Sequence, residues 1–203
     1  MKKLAVAFAA AFVLCTGAAQ AETLEYTFAT QADAADFKQV PAGRSWTVAG
    51  GAYAPDKAGS GFVASVVDTT FTNVTARTSV ATLTPKSLAG LVLRASSVGP
   101  RLSGYIGAIQ NTGKVTVARI YRFTRYDLKQ ASGSFLDLCT KDIKLIDEKN
   151  IEFVANGTAL SLYYNGKLVC SAKDSQHKGG KVGLFGTASK QPKISFSSAS
   201  FAD

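Results

Sequence analysis

Two Asn-Gly dipeptides, at 156–157 and 165–166, lie within residues 151–172, and each separates two apolar stretches. Asn-Gly is the strongest short signal for a β-hairpin, because both central residues of a type I′ turn need positive φ. The flanking residues alternate between apolar and other side chains, as strands do. The sequence therefore predicts a three-stranded antiparallel meander over residues 150–172. The alternating apolar residues are Ile151, Phe153 and Ala155, then Leu160, Leu162 and Tyr164.

Further strand-like runs recur along the chain, and turn-forming residues separate them. Helical periodicity is weak: only residues 31–37 and 139–150 could form a turn or two of helix, and the second segment reads equally well as a strand and loop. Many short strands at regular spacing are typical of a β-sandwich or barrel. The strand-like runs are 24–29, 45–55, 61–71, 74–83, 90–96, 104–110, 114–123, 181–187 and 193–202.

The first 21 residues have the pattern of a secretory signal peptide. Two lysines precede an apolar run that ends at Leu14, and Ala19-Gln20-Ala21 forms an A-x-A cleavage site. The apolar run is shorter than the ~20 residues of a membrane-spanning helix. Bulky residues precede Cys15, which argues against a lipoprotein. We expect cleavage after Ala21, a single domain over 22–203, and a location in the bacterial periplasm or outside the cell.

Cleavage at that point leaves two cysteines, Cys139 and Cys170. An even pair in an oxidising compartment predicts one disulfide. The alternatives are a metal site or two free thiols. A metal site is disfavoured because the only histidine, His177, has no suitable companion ligands nearby in the sequence.

The order of these motifs resembles the concanavalin A-like lectin/glucanase superfamily, and within it the laminin-G-like and keto-disaccharide-hydrolase-like bacterial branches. The residues that carry the resemblance are "GLVLRAS", "GYIGAI", "YYNGKLV", "KVGLFG" and the closing "SFSSASFAD". The resemblance covers most of residues 23–203. It implies an all-β fold, a jelly roll of two antiparallel sheets of which one is concave. It does not imply one function, because the superfamily contains sugar binders, glycanases and protein-interaction modules.

A search for catalytic residues finds no acidic pair of the glycanase kind. Carboxylates one residue apart on a strand would share a face, whereas Asp147 and Glu148 are adjacent and Glu152 is isolated. His177 lies in a polar, glycine-rich turn without a nucleophile elbow, and we interpret it as an exposed loop residue. We therefore predict no catalytic residue, and whether the protein is an enzyme stays open.

The most suggestive binding segment is "VARIYRFTRYD", residues 117–127, which interleaves arginines with aromatic residues. Aromatic faces stack on sugar rings, and arginine forms bidentate bonds with carboxylate, sulfate or phosphate groups. The alternative is an amphipathic edge strand whose arginine stems lie over apolar surface. Strict alternation places Arg119, Tyr121, Phe123 and Arg125 on one face, and Ile120, Arg122, Thr124 and Tyr126 on the other.

Two further candidates come from the neighbouring runs. Alternation places Leu91, Leu93 and Ala95 on one face of their strand, and Val92 with Arg94 on the other. In the family that the chain resembles, an arginine in this strand and a tyrosine in the next lie toward the concave face. The resemblance thus implies a binding role for Arg94 and Tyr105, and a core position for the only tryptophan, Trp46.

Charge and acidic residues give weaker signals. The formal charge is +9, and removal of Lys2 and Lys3 with the signal peptide lowers it to +7, which favours association with anionic surfaces or polymers. Calcium occurs in many members of the superfamily, and Asp33, Asp36 and Asp203 are its possible ligands here. No loop has a dense Asp/Asn cluster, so we predict no cofactor and no metal.

Together these features predict a secreted or periplasmic β-sandwich module that binds carbohydrate, with an acidic glycan as one option, through a concave sheet. We expect no nucleic-acid partner and no membrane span after cleavage. The alternatives are a glycoside hydrolase of the keto-disaccharide-hydrolase-like branch and an envelope protein with a structural or protein-binding role. The predicted ligand-binding residues are Arg94, Tyr105, Arg119, Tyr121 and Arg122.

Overall fold

The computed structural model describes residues 22–41, 45–55, 61–188 and 194–203, so the predicted signal peptide lies outside the described residues. A short 3-10 helix spans Gln31–Ala34. The strands are β1 (Thr23–Thr27), β2 (Phe37–Val40), β3 (Trp46–Ala49), β4 (Ala52–Pro55), β5 (Gly61–Phe71), β6 (Val74–Leu83), β7 (Ser87–Val98), β8 (Arg101–Asn111), β9 (Thr116–Asp127), β10 (Ser132–Ile143), β11 (Asn150–Asn156), β12 (Ala159–Tyr164), β13 (Lys167–Lys173), β14 (Gly180–Ala188) and β15 (Ile194–Ala202).

These strands form two antiparallel sheets, which confirms the predicted all-β sandwich. Sheet A has the order β13-β12-β11-β6-β15-β4-β3, and β1 also pairs with β15. Sheet B has the order β10-β9-β8-β7-β14-β5-β2. Most neighbouring strands are distant in the sequence, so the register between them is fixed by long-range pairing rather than by local turns alone.

The main core lies between the two sheets, where the alternating apolar residues of both layers meet. Trp46, Phe153 and Phe196 are all at most 2% exposed, which confirms the core position predicted for the tryptophan. Burial of one such large side chain stabilises the fold by about 1.5–3 kcal/mol. The alternating apolar side chains predicted in residues 150–172 thus lie in this core.

The meander has the predicted strands, but its two turns differ. Asn165 (φ 49°) and Gly166 (φ 75°) both have positive φ, as the predicted type I′ turn requires. In the first hairpin Asn156 pairs with Ala159, so the two central residues are Gly157 and Thr158. Of these two residues only the glycine has positive φ (55°). The turn therefore lies one residue later than predicted, and it is not of type I′.

A line of backbone irregularities crosses four strands of sheet B. Positive φ occurs at Arg94 in β7, Gly104 in β8, Arg125 in β9 and Gly133 in β10, and the strand register shifts beside each of them. Bulges bend a strand and increase its twist. Four of them side by side turn the ends of the β7–β8 and β9–β10 hairpins.

These hairpin ends close over the outer face of sheet B, the face that points away from sheet A. The ring of Tyr126 in β9 lies 6.1 Å from that of Phe62 in β5, although three strands lie between β9 and β5 in the sheet. Phe123 contacts Phe185 of β14 at 5.6 Å. The outer face of sheet B is therefore a second apolar core, to which Val92, Ile106 and Ala108 also belong.

We predicted no strand at β2 or at the first half of β10, and the structure has both. Strand β10 lies at the edge of sheet B, and residues 132–137 are all exposed, so no buried alternation marks them. The segment 139–150, left open between helix and strand, is strand as far as Ile143. The predicted disulfide is confirmed: Cys139 in β10 is bonded to Cys170 in β13, with their Cα atoms 5.8 Å apart.

A search of the described residues finds no helix with the length and apolar character needed to cross a membrane.

Candidate functional site

The structure divides the five predicted binding residues into two groups. Arg119 and Tyr121 lie on the outer face of sheet B, near its β9–β10 edge. Arg94, Tyr105 and Arg122 lie instead at one end of the sandwich, where loops of both sheets meet. We call this second group, together with Asp174 and His177, the end cluster.

Arg94 is committed to main-chain contacts within the end cluster. Its side chain is only 2% exposed, and burial lowers the pKa of the guanidinium from its usual value. Its Nε donates to the carbonyl of Thr72 at 2.8 Å, and its Nη1 donates to the carbonyls of Gly157 at 2.8 Å and His177 at 3.0 Å. The arginine therefore joins three loops, and these contacts use three of its five N–H donors.

Tyr105 and Arg122 meet at the carboxylate of Asp174. The tyrosine hydroxyl donates to Oδ1 at 2.6 Å, and Nη1 of Arg122 lies 2.6 Å from Oδ2. Burial raises the pKa of Tyr105, and the hydrogen bond to the carboxylate adds to this. Burial alone would raise the pKa of Asp174, but the bonds from Tyr105, the Gln176 N–H and Arg122 outweigh it, and the pKa is lowered. This arrangement fits a buried structural network.

His177 is half-buried, so the exposed position expected from the sequence was wrong. Its ring lies 5.1 Å from that of Tyr105 in an edge-on contact, and Nε2 is 3.0 Å from the carbonyl oxygen of Phe123. Its main-chain N–H donates to the Tyr105 hydroxyl at 3.0 Å. Burial lowers the pKa of the imidazole, although the contact with the Phe123 carbonyl opposes the shift.

The two arginine bulges also change which residues share a face. Strict alternation predicts Ala95 on the face of Leu93 and Tyr126 on the face of Arg122. The positive φ at Arg94 and Arg125 (51° each) reverses the side chains that follow. Ala95 and Tyr126 consequently belong to the second apolar core, and the predicted face assignments were wrong from these points onward.

Arg119 and Tyr121 belong to a small surface at the open edge of sheet B. Nη1 of Arg119 lies 2.7 Å from Oδ2 of Asp137, and the hydroxyl of Thr140 donates to the same oxygen at 2.7 Å. The guanidinium carbon lies 5.8 Å from the centre of the Tyr121 ring. One ion pair and one cation–π contact thus hold Arg119, and the Thr140 hydroxyl orients the carboxylate of that ion pair.

Phe135 completes this surface. It pairs with Phe123 across the β9–β10 ladder, and its ring lies 6.0 Å from that of Tyr121 and 5.9 Å from that of Tyr126. These edge-on contacts support the ring from below, yet 55% of the side chain stays exposed. We call Arg119, Tyr121, Phe135, Asp137 and Thr140 the edge platform.

A register shift in β10 places the acidic and hydroxyl residues of the platform together. Asp137 pairs with Tyr121, and the next pair is Cys139 with Ile120, so Leu138 is the extra residue. Asp137 then contacts Arg119 on the outer face and accepts a hydrogen bond from Thr140, while Cys139 bonds toward sheet A. The bulge therefore lets one strand serve both the platform and the disulfide.

The edge platform combines an apolar ring with polar groups of opposite charge. Arg119 and Asp137 neutralise each other, and their side chains keep 27% and 35% of their surface exposed. Burial raises the pKa of Tyr121, although the charge of Arg119 opposes the rise. In addition, Nε of Arg119 is buried without a hydrogen-bond partner among the described residues. The surface offers donors, an acceptor and an apolar face within a few residues.

Sequence reasoning found two of the five platform residues. Phe135, Asp137 and Thr140 were missed because β10 was not recognised as a strand at their positions. The alternation of Phe135 and Asp137 in "SFLDLCT" is the signal that could have found them, since alternate strand residues share a face.

Two of the three acidic residues named as possible calcium ligands make other contacts. Asp33 accepts a hydrogen bond from the N–H of Thr30, and Asp36 accepts one from the Tyr26 hydroxyl. Among the residues that the structure describes, no group of three or more His, Cys, Asp or Glu side chains could hold a metal ion.

Comparison with solved structures finds β-sandwich domains over most of the chain. Carbohydrate binding module CBM66 from Bacillus subtilis is 15% identical, with a TM-score of 0.61, covering 82% of this chain and 91% of that one. A Bacillus subtilis protein of unknown function with a galectin-like fold is 11% identical, with a TM-score of 0.63, covering 90% and 97%. The kappa-carrageenase of Pseudoalteromonas carrageenovora is 8% identical, with a TM-score of 0.58, covering 95% and 99%.

No protein-family model matches the chain, and no curated protein matches its sequence. At identities this low the structural likeness shows the fold alone. It agrees with the two-sheet, all-β architecture that the resemblance implies, since a galectin-like and a legume lectin-like domain are among the similar structures.

Proposed function

We propose that this protein is a carbohydrate-binding jelly-roll module and that the edge platform contacts the sugar. One observation carries the proposal: Phe135 presents an exposed aromatic ring beside the ordered Arg119–Asp137 pair. A sugar has apolar C–H faces and a rim of hydroxyl groups, so it complements a surface of this kind. The ring accepts the C–H face, and the charged pair bonds adjacent hydroxyls.

Rigidity of the platform supports the proposal. Tyr121, Phe123 and Tyr126 hold the Phe135 ring, while Asp137 and Tyr121 hold Arg119. Side chains that are ordered before binding lose less conformational entropy when a ligand arrives. The outer face of sheet B, in contrast, is covered by the second apolar core, and we therefore place the ligand at the edge of this face rather than across it.

The comparisons support the class of ligand. The similar structures include a carbohydrate binding module, a carbohydrate recognition domain and a carrageenase. Different chemistries occur on this fold, so the fold alone does not select one. The edge platform has the residues for binding, and the branch of the superfamily predicted from the sequence stays a prediction.

We also infer that the chain is exported to the periplasm or the cell exterior. The N-terminal pattern over residues 1–21 motivates this, and the Cys139–Cys170 disulfide supports it, because such bonds persist in oxidising compartments.

The acidic character suggested for the glycan has less support at the platform, since Asp137 already neutralises Arg119. A neutral sugar fits its local charge better.

Affinity electrophoresis tests the function. The chain from Glu22 to Asp203 is run in native gels that contain soluble glucan, mannan, galactan, fructan or sulfated galactan. The proposal predicts retardation in at least one gel. Phe135→Ala should weaken binding about ten-fold or more, as loss of a central aromatic contact does.

The matched control is Leu136→Ala. Leu136 is 47% exposed and adjacent in β10, but it lies on the opposite face of the strand. It should bind as the wild type does. No retardation in any gel contradicts the proposed function, and equal effects of the two substitutions contradict the assignment to the edge platform.

A further inference from the structure

A depression lies on the face of sheet A that points away from sheet B, on the opposite side of the molecule from the edge platform. It has a volume of about 400 Å³ and lies between β1 and β11. Its floor is formed by Ser198 and Ser200 of β15. We call it the serine trough; the residues used below are Glu25, Arg77, Asn150, Glu152, Ser198 and Ser200.

The trough follows from the pairing register. Glu25 of β1 pairs with Ser200, Ser200 pairs with Arg77 of β6, and Arg77 pairs with Glu152 of β11. Four polar residues therefore form one row across four strands. Because the Ser200 side chain is short and those of Glu25 and Arg77 are long, the surface is depressed over β15 and raised over the strands on both sides.

Part of the polar surface in the trough is already ordered. Nε of Arg77 donates to Oε2 of Glu152 at 2.6 Å, and the hydroxyl of Ser79 donates to Oδ1 of Asn150 at 2.7 Å. Within the described ranges, the Glu25 carboxylate and the Ser200 hydroxyl take part in no hydrogen bond or ion pair. The trough thus presents oriented groups whose remaining donors and acceptors face solvent.

Charge restricts the kind of ligand. An anionic group in the trough would approach Glu25 and Glu152, and a cationic group would approach Arg77. A neutral, hydroxyl-rich ligand avoids both conflicts, and each hydroxyl can donate to a carboxylate while accepting from the guanidinium or amide. This charge pattern favours a saccharide over a charged peptide.

The wide spacing of the two glutamate main chains and the ion pair at Glu152 disfavour glycosidase chemistry. Three strand spacings of about 4.8 Å separate the main chains of Glu25 and Glu152, which amounts to about 14 Å. Glycosidases need about 5–9.5 Å between the two carboxyl groups. In addition, Glu152 is paired with Arg77. The row is therefore suited to binding.

We infer that the serine trough is a second saccharide site, for a neutral, unbranched glycan chain that lies along β15. This inference rests on the proposed function and extends it. The edge platform lies on sheet B and the trough on sheet A, on opposite faces of the sandwich. One protein molecule would then connect two glycan chains, and two sites would raise its apparent affinity for a polymer.

The test uses the same gels with neutral polysaccharides and variants of residues 22–203. Ser200→Trp fills the trough, and Glu25→Ala removes one wall while leaving the floor intact. The control is Ser161→Trp, because Ser161 of β12 is half-buried and does not line the trough. The alternation of β12 places it on the same outer face. Both trough variants should bind about three-fold to ten-fold more weakly than the control, and Ser200→Trp with Phe135→Ala should show no retardation.

The outcomes separate the two proposals. If both trough variants bind as the control does while Phe135→Ala weakens binding, the trough is not a site and the proposed function stands. If the trough variants lose binding and Phe135→Ala does not, the trough stands and the edge platform fails. If the wild type is not retarded in any gel, both are overturned. Circular dichroism checks that each variant is folded.

Discussion

Cys139 and Cys170 join the edge strand of sheet B to the edge strand of sheet A. Cys139 lies two residues after Asp137 and directly before Thr140, so the disulfide fixes the strand that carries the acidic and hydroxyl groups of the edge platform. The same strand carries Phe135. Stability and binding are therefore coupled through β10.

The first prediction concerns this disulfide. Replacing both cysteines by alanine should lower the free energy of unfolding by about 3–4 kcal/mol, because the bond closes a loop between residues 31 positions apart. The folded variant should also bind sugar more weakly, since β10 loses its connection to sheet A. Urea unfolding and affinity electrophoresis measure the two effects. Wild-type affinity in the folded variant would show that β10 is ordered without the bond.

The second prediction separates the end cluster from the platform. Tyr105→Phe removes a donor to the Asp174 carboxylate and an acceptor for the His177 N–H. The free energy of unfolding should fall by about 1–2 kcal/mol. Sugar binding should not change, because the end cluster has a structural role in this account. A loss of affinity at unchanged stability would return Tyr105 to the binding site.

The third prediction concerns pH. Burial lowers the pKa of His177 in the folded state, so the unfolded chain binds the proton more readily. Stability is then full above the unfolded value of about 6.5 and is lost as the pH falls from there through the folded pKa. Urea midpoints at pH 7.5, 6.5 and 5.5 should decline for the wild type. His177→Asn should show a flatter profile over this range, and an identical decline in both proteins contradicts the assignment.

The fourth prediction concerns the bulge line. Gly104 has a φ of 149°, and a Cβ there would lie 2.9 Å from the carbonyl oxygen of Leu93. Gly104→Ala should cost about 2–4 kcal/mol of unfolding free energy through strain and crowding. Gly99→Ala is the control. Gly99 also has positive φ (57°), but a Cβ there would meet no atom within 4 Å, so this substitution should lower the free energy of unfolding by only about 1 kcal/mol. Equal unfolding midpoints for the two variants would contradict the need for close packing at the bulge.

The fold could be read from the sequence where burial alternates. Strand β5 spans the predicted residues 61–71, and the meander has its predicted strands. Strand β10 was missed because an edge strand has no neighbour on one side and buries little. Its exposed residues carry no alternation of burial.

The candidate site could be predicted only in part. Arg119 and Tyr121 were found because aromatic and arginine residues alternate in β9, but their partner Asp137 is distant in the sequence. Arg94 and Arg125 are bulges at residues other than glycine, and nothing in the sequence marks positive φ at such residues. The side chains that follow these two arginines consequently lie on the face opposite to the one that strict alternation predicts.

The most direct test of the central claim is an NMR titration. The chain is labelled on the phenylalanine rings and titrated with an oligosaccharide from whichever polysaccharide retards it, and the Phe135 signal is assigned by its loss in Phe135→Leu. The account predicts that the Phe135 ring shows the largest shift change, while the signals of Phe62 and Phe185 in the second apolar core stay in place. An unmoved Phe135 signal at ligand saturation would contradict it.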